Sequence, residues 1–248
     1  MIRVTTENSV TTIVLDRPEK RNAMLPSMLE GFEAAVRGLD ADTKAVVVLG
    51  AGKVFCAGFD LKACASDESG ETLRSLLTGL SRCVVAMREC PVPVVLGVHG
   101  SAIAGGCAML GGADVVVADR GAVLGYPVVK IGVSPAVSAP FLMSSVPAGA
   151  ARALMLDPGL IDGARAFELG LVHELVDETG DIAGDVEKRA MEMGAVLASK
   201  PGVGVRATKA LVNEITDGMA GRAGEGLGVS LSQVGSDEER EMLGALWG

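Results

Sequence analysis

Two stretches decide how this chain reads: Phe55-Cys56-Ala57-Gly58-Phe59-Asp60-Leu61-Lys62 and Gly97-Val98-His99-Gly100-Ser101-Ala102-Ile103-Ala104-Gly105-Gly106-Cys107. Each follows an apolar, valine-rich run, Ala45 to Leu49 before the first and Val92 to Val98 before the second. The first is a continuous apolar strand, and the second, like Asp114 to Ala118, is too apolar for a half-exposed sheet and suits a strand covered on both faces. Each then turns through glycines into a helix start. Two such strand ends can aim two backbone N–H groups at one point. A carbonyl oxygen placed there is stabilised as it gains negative charge during a reaction.

Working outward, Ile2 to Val4 and Thr11 to Leu15 read as a hairpin around Glu7-Asn8. Met28, Phe32, Ala35, Val36 and Leu39 have helical spacing after Pro26, a residue suited to a first turn. Leu73, Leu76, Leu77, Leu80, Val84 and Met87 mark a second amphipathic helix. Asp114 to Ala118 and Ala122 to Leu124 are further strands. The strand–helix alternation predicts an α/β fold with parallel pairing. After about residue 180 the character changes. Asp181 to Ser199 and Val203 to Ile215 read as helices set outside the main layers. The glycine-rich Gly218 to Gly228 reads as irregular or mobile. Ser236 to Trp247 reads as a last short helix, capped by Ser236 with Glu239 in its first turn.

Composition narrows the function. The 248 residues, 49% of them hydrophobic, can bury one large core. A net charge of -9, from 22 basic and 31 acidic residues, argues against a nucleic-acid partner, whose affinity rests on neutralised phosphates. Five cysteines without a C-x-x-C pair and only two histidines argue against a zinc site. Met1 to Glu7 does not read as a signal peptide, and reduced thiols suit a cytoplasmic protein. Pro91 to Ala113 lacks any charge and approaches the length of a membrane span, about 20 residues. Its two prolines and its glycines make it a buried strand, a turn and a buried helix instead, so no membrane partner is expected.

Five segments, in order, resemble the crotonase (enoyl-CoA hydratase/isomerase) superfamily. They are Leu15-Asp16-Arg17-Pro18-Glu19-Lys20-Arg21-Asn22-Ala23, Phe55 to Lys62, Gly100 to Cys107, Ile161 to Val172, and Lys200-Pro201 through Lys209. The resemblance implies an α/β spiral of ββα repeats over residues 1–180, holding the acyl-CoA pocket. It also implies a C-terminal helical region, residues 181–248, that builds trimers or dimers of trimers. The shared chemistry is stabilisation of a thioester enolate by two backbone amides, here those of Phe59 and Gly105. Lyase or isomerase work in fatty acid metabolism is the usual setting. Carried over by position, Lys20, Arg21, Ala23, Ala57, Phe59, Asp60, Leu61, Lys62 and Gly105 contact coenzyme A. Lys62, Lys20 or Arg21 would meet the nucleotide phosphates. The CoA thioester is substrate or ligand, and no separate cofactor or metal is called for.

The pattern breaks where hydratases of this superfamily place two glutamates. The first position is Ala108 and the second is Val128. Ala136 stands where some members carry an aspartate instead. None of the three side chains can move a proton, and each such group typically contributes about 10²–10⁴-fold. Standard hydration is therefore doubtful, and a decarboxylation or hydrolysis that leans on the amide pair is the alternative chemistry. Tyr126 could donate a proton or hold a carboxylate, or be a packed strand aromatic. Ser134 and Ser138 could orient water or be ordinary loop serines. Cys107 reads as core packing, and His99 as a buried, satisfied histidine. A non-catalytic acyl-CoA-binding protein is the competing reading.

Overall fold

The computed structural model describes residues 1–157, 159–177, 179–216 and 218–245. The chain opens with β1 (Ile2–Glu7) and β2 (Val10–Leu15), joined by Asn8 and Ser9, both at positive φ. That two-residue turn matches the twist of an antiparallel hairpin. Then follow α1 (Pro26–Arg37), β3 (Ala45–Gly50), α2 (Leu61–Ala65), α3 (Glu71–Glu89), β4 (Val94–Val98), β5 (Ser101–Ile103) and α4 (Gly105–Ala108). Next come β6 (Val115–Asp119), β7 (Val123–Gly125), α5 (Ala139–Ser145), α6 (Ala148–Leu156), β8 (Ile161–Asp162), α7 (Gly163–Leu169) and β9 (Glu174–Val176). Four helices finish the described chain: α8 (Ile182–Ala198), α9 (Gly202–Ile215), α10 (Gly218–Gln233) and α11 (Asp237–Ala245).

The strands form two sheets. The larger runs β1-β2-β3-β4-β6-β9, and the smaller runs β5-β7-β8. In the large sheet only the β1–β2 hairpin is antiparallel. The chain repeatedly lays one strand in the large sheet and the next in the small one (β4 then β5, β6 then β7), which winds it into a spiral of strand–strand–helix repeats. In β3 the alternation of side chains across a strand is explicit. Val46 and Val48 face the core beneath α1 and α3, where Phe32, Leu76, Leu80 and Met87 are buried. Val47 and Leu49 face the other side with Val10, Val95, Ala190 and Ala198. Both faces are covered, which is why the run is apolar without a break.

That second face corrects the view of residue 181 onward as lying outside the main layers. Ala190 and Ala198 of α8 pack on the sheet, so α8 is one of its two covering layers. Its small residues let the helix sit close. A Cβ on Gly194 would collide with Val47. The Gly218 to Gly228 expectation is also corrected: this stretch lies within helix α10, which packs on α5 and on the turn at Pro135–Ser138. A Cβ on Gly226 would strike the carbonyl oxygen of Ala136. Glycine there serves close approach rather than disorder. The last helix is capped as expected: Ser236 Oγ accepts from the Glu239 N–H at 3.1 Å, and Glu239 accepts from the Gly235 N–H at 2.8 Å. Trp247 lies outside the described residues. Among the described residues no helix is long and apolar enough to cross a membrane.

Candidate functional site

The two quoted stretches meet. After β3 the chain passes Cys56, whose N–H donates to Ser101 O at 3.0 Å and whose carbonyl accepts from the Ile103 N–H at 3.0 Å. This pairs the first loop with β5. One step on, the Met24 N–H donates to Gly58 O at 2.7 Å and the Asp60 N–H to Met24 O at 3.0 Å. Alternation along an extended backbone then turns the intervening Phe59 N–H to the opposite side. Gly58 holds φ +94°, and a Cβ there would lie 3.0 Å from Ile103 O and 3.8 Å from the Gly105 nitrogen. The Phe59 ring rests on Gly105, whose missing Cβ would be 3.0 Å from Cε1. Among the described residues no backbone carbonyl accepts from the Phe59 or the Gly105 N–H. Gly105 is the first residue of α4, where helix N–H groups have no partner of their own. Its predecessor Ala104 sits at φ 52°, ψ −112°, and is pinned by its N–H to Gly125 O at 2.8 Å.

Two concavities join at this point. A surface groove of about 850 Å³ includes Lys20, Arg21, Ala23, Asp60 and Lys62. An inner cavity of about 290 Å³ includes Gly105, Ala108, Tyr126 and Val128. Ala57, Phe59 and Leu61 belong to both. Every residue expected to contact coenzyme A thus lines the groove, the cavity or their junction. Lys20, Arg21 and Lys62 are exposed, and none of the three is ion-paired among the described residues. Asp60 differs from a free channel residue. Its carboxylate takes Arg17 at 2.8 Å and caps α2 through the Ala63 N–H at 3.3 Å. Burial works against its ionisation, but Arg17, the Ala63 N–H and the Lys20 charge outweigh that and hold its carboxyl below the ordinary value. Asp60 therefore ties the first loop to the Arg17 segment.

Sequence reasoning left several positions out. Arg17 lies in a quoted segment but was given no role. Buried Asn22 brings three carbonyls, of Ala51, Val54 and Phe55, within 3.0 Å of its amide nitrogen and so fixes the approach to Gly58. Lys130 and Leu243 line the inner cavity. Leu243 is signalled only by its spacing from Glu239, the other buried residue of α11.

Among the described residues the cavity wall contains no aspartate, glutamate or histidine. Ala108 and Val128 both face it, whereas Ala136 does not line it. Tyr126 is a cavity wall residue on the turn after β7, 2% exposed, not a strand aromatic. Its hydroxyl donates to Cys107 O at 3.4 Å, a long bond that a ligand could displace. Burial, and then Cys107, push the phenol well above its ordinary value, so at neutral pH it is a donor and not a base. Burial, then the charge of Asp60, raises the Cys64 thiol to about 12, which leaves it uncharged. Ser134 and Ser138 are the other hydroxyls on the wall. Cys107 is buried core, and His99 is buried with Nε2 2.9 Å from Gly52 O.

Fold and site together define a protein with a basic entry groove, an apolar inner chamber and two unpaired amides between them. Residues 5–235 match the Enoyl-CoA hydratase/isomerase family, and the chain belongs to that family. A Thermus thermophilus protein with an assigned enoyl-CoA hydratase name is 35% identical over 73% of this chain and 76% of its own length. The (7aS)-7a-methyl-1,5-dioxo-2,3,5,6,7,7a-hexahydro-1H-indene-carboxyl-CoA hydrolase of Mycobacterium tuberculosis is 28% identical over 85% of this chain and 83% of its own. Among solved structures, an enoyl-CoA hydratase/isomerase from Xanthobacter autotrophicus Py2 superposes with TM-score 0.89 at 29% identity. It covers 98% of this chain and 91% of that one.

Proposed function

We propose that this protein binds an acyl-CoA and uses the Phe59 and Gly105 N–H groups as an oxyanion hole for the thioester oxygen. The observation that carries this is the pair of unpartnered amides at the junction of groove and cavity. The nucleotide end lies toward Lys20, Arg21 and Lys62, and the acyl group lies in the inner cavity. The reaction is one that needs charge stabilisation but no carboxylate pair, a reading supported by Ala108 and Val128 on the cavity wall at the positions where the resemblance expects glutamates. Decarboxylation of a malonyl-type thioester fits, since carbon dioxide leaves without a protein base. Hydrolysis also fits, and the Mycobacterium tuberculosis relative named as a CoA hydrolase supports it. In either case Tyr126, kept neutral by burial, donates a hydrogen bond to the acyl group. Two backbone dipoles supply the charge stabilisation, so the reading calls for no further cofactor. Self-association as a trimer or dimer of trimers belongs to the same proposal, supported by exposed Val203, Leu211 and Ile215 on α9. A cytoplasmic setting is supported by five free, buried cysteines.

A second reading, binding without turnover, is favoured by the same carboxylate-free wall. Mass spectrometry of reactions with crotonyl-, 3-hydroxybutyryl-, malonyl- and methylmalonyl-CoA, run beside thermal shift, separates the two. Binding with a decarboxylated or hydrolysed product supports the enzyme. Binding with no product across the panel supports the binder, and no binding by any member removes both.

A further inference from the structure

The inner cavity does not end in solid core. Cys64 on α2, Leu73 on α3 and Leu243 on α11 line it, and the same three residues line a second depression of about 470 Å³. That depression shares no residue with the basic groove. The chamber behind the two amides is therefore bounded, away from the groove, by a wall one side chain thick. The wall is apolar and uncharged, while the depression beyond it carries Asp67, Glu68, Glu239 and Arg240. In α11 only Glu239 and Leu243 are buried, and the helix packs mainly on short elements, α2 and the turn at Pro127–Ile131.

We propose that the far end of a long acyl chain passes Cys64, Leu73 and Leu243 into this depression, and that Leu243 sets the chain length accepted. The proposal rests on the acyl-CoA reading above and names its substrate class: thioesters whose acyl chain is long and uncharged at its far end. A chain ending in a carboxylate is disfavoured, because three carboxylates and one guanidinium line the depression. A methylene path from groove to depression buries more of the chain than the 290 Å³ cavity alone, so affinity rises with length.

The test measures affinity for butanoyl-, octanoyl- and dodecanoyl-CoA with the full chain and with Leu243→Trp. The wild type binds dodecanoyl-CoA more tightly than butanoyl-CoA. Leu243→Trp loses about tenfold more affinity for dodecanoyl-CoA than for butanoyl-CoA, through lost burial of the chain end. Equal dodecanoyl-CoA affinity in the two proteins overturns the proposal. So does a wild type that binds butanoyl-CoA but gains nothing from chain length, and that result leaves the acyl-CoA reading standing. Failure to bind any of the three removes both. A measurement needing no variant is photolabelling of the wild type with dodecanoyl-CoA carrying a diazirine at its last carbon. Label on residues 65–70 or 235–244 supports the path. Label confined to the inner cavity, or no label, overturns it.

Discussion

Ala104, at φ 52° and ψ −112°, holds a backbone that costs a residue with a Cβ on the order of 1–3 kcal/mol. The surroundings fix it, and the result is that the next N–H, that of Gly105, faces the junction of groove and cavity. Gly58 does the corresponding service for Phe59. Gly58→Ala adds strain at φ +94° and a Cβ 3.0 Å from Ile103 O, which pushes the two loops apart. The expected outcome is a loss of about 1–3 kcal/mol in urea denaturation, together with weaker acyl-CoA binding. Tyr126→Phe removes a hydroxyl whose bond to the Cys107 carbonyl is long, at 3.4 Å. Stability should stay within about 1 kcal/mol while turnover of any product-forming acyl-CoA falls by about tenfold or more. Unchanged turnover would reduce Tyr126 to packing. Ala108→Glu with Val128→Glu places two carboxylates on the cavity wall, at the positions where the sequence resemblance expects them. Crotonyl-CoA hydration should then rise by about 100-fold or more over the wild type, read as 3-hydroxybutyryl-CoA formed.

Elements tie the site to the body, and α9 shows the energetics most clearly. Lys209, 8% exposed, reaches Asp114 at 2.6 Å and the carbonyls of Met87 and Val92 at 3.2 and 3.0 Å. Asp114 in turn accepts from the Val94 N–H at 2.7 Å. One cation thus gathers the end of α3 and the starts of β4 and β6. Lys209→Met leaves a partly buried carboxylate, 25% exposed, and two carbonyls without their cation, so a loss of about 1–3 kcal/mol is expected in chemical denaturation. A loss below about 1 kcal/mol would contradict it. At this scale the sequence was most legible where burial is two-sided. The valine runs of β3 and β4 and the leucine stripe of α3 could be read directly because each apolar residue has a wall to face. The helical state of Gly218 to Gly228 was not legible. Glycine there answers to the carbonyl of Ala136 on a distant turn, a constraint no local pattern records. The same holds for α8, whose small residues face Val47 and Val10 rather than solvent.

At the scale of the whole molecule, the thiols report how tightly the core excludes charge. Burial first and foremost raises Cys56, Cys64 and Cys83 from 9.0 to about 12 and Cys107 to about 11. In the unfolded chain these thiols ionise near 9, so the folded state binds more protons between 9 and the raised values. Stability is therefore full below pH 9 and falls as pH climbs above it, by on the order of 1 kcal/mol per thiol per pH unit. Melting temperatures from pH 7 to 11 should show a plateau and then a decline, and native protein at pH 8 should resist iodoacetamide. The two glycine-lined turns after β3 and β4 were legible in the sequence because their glycines and strand ends are contiguous there, while the choice of the Phe59 and Gly105 amides comes from the family resemblance. Leu243, Lys130 and the Arg17–Asp60 pair were not, because only the spiral brings them to the cavity and its groove. The central claim is that the Phe59 and Gly105 amides hold a thioester oxygen. Infrared difference spectroscopy of butanoyl-CoA labelled with carbon-13 at its thioester carbonyl addresses it most directly. Two hydrogen bonds polarise the carbonyl, so its stretch should move to lower frequency on binding, and the shift should shrink in Gly58→Ala. A bound ligand whose carbonyl stretch stays at its solution value would contradict the account.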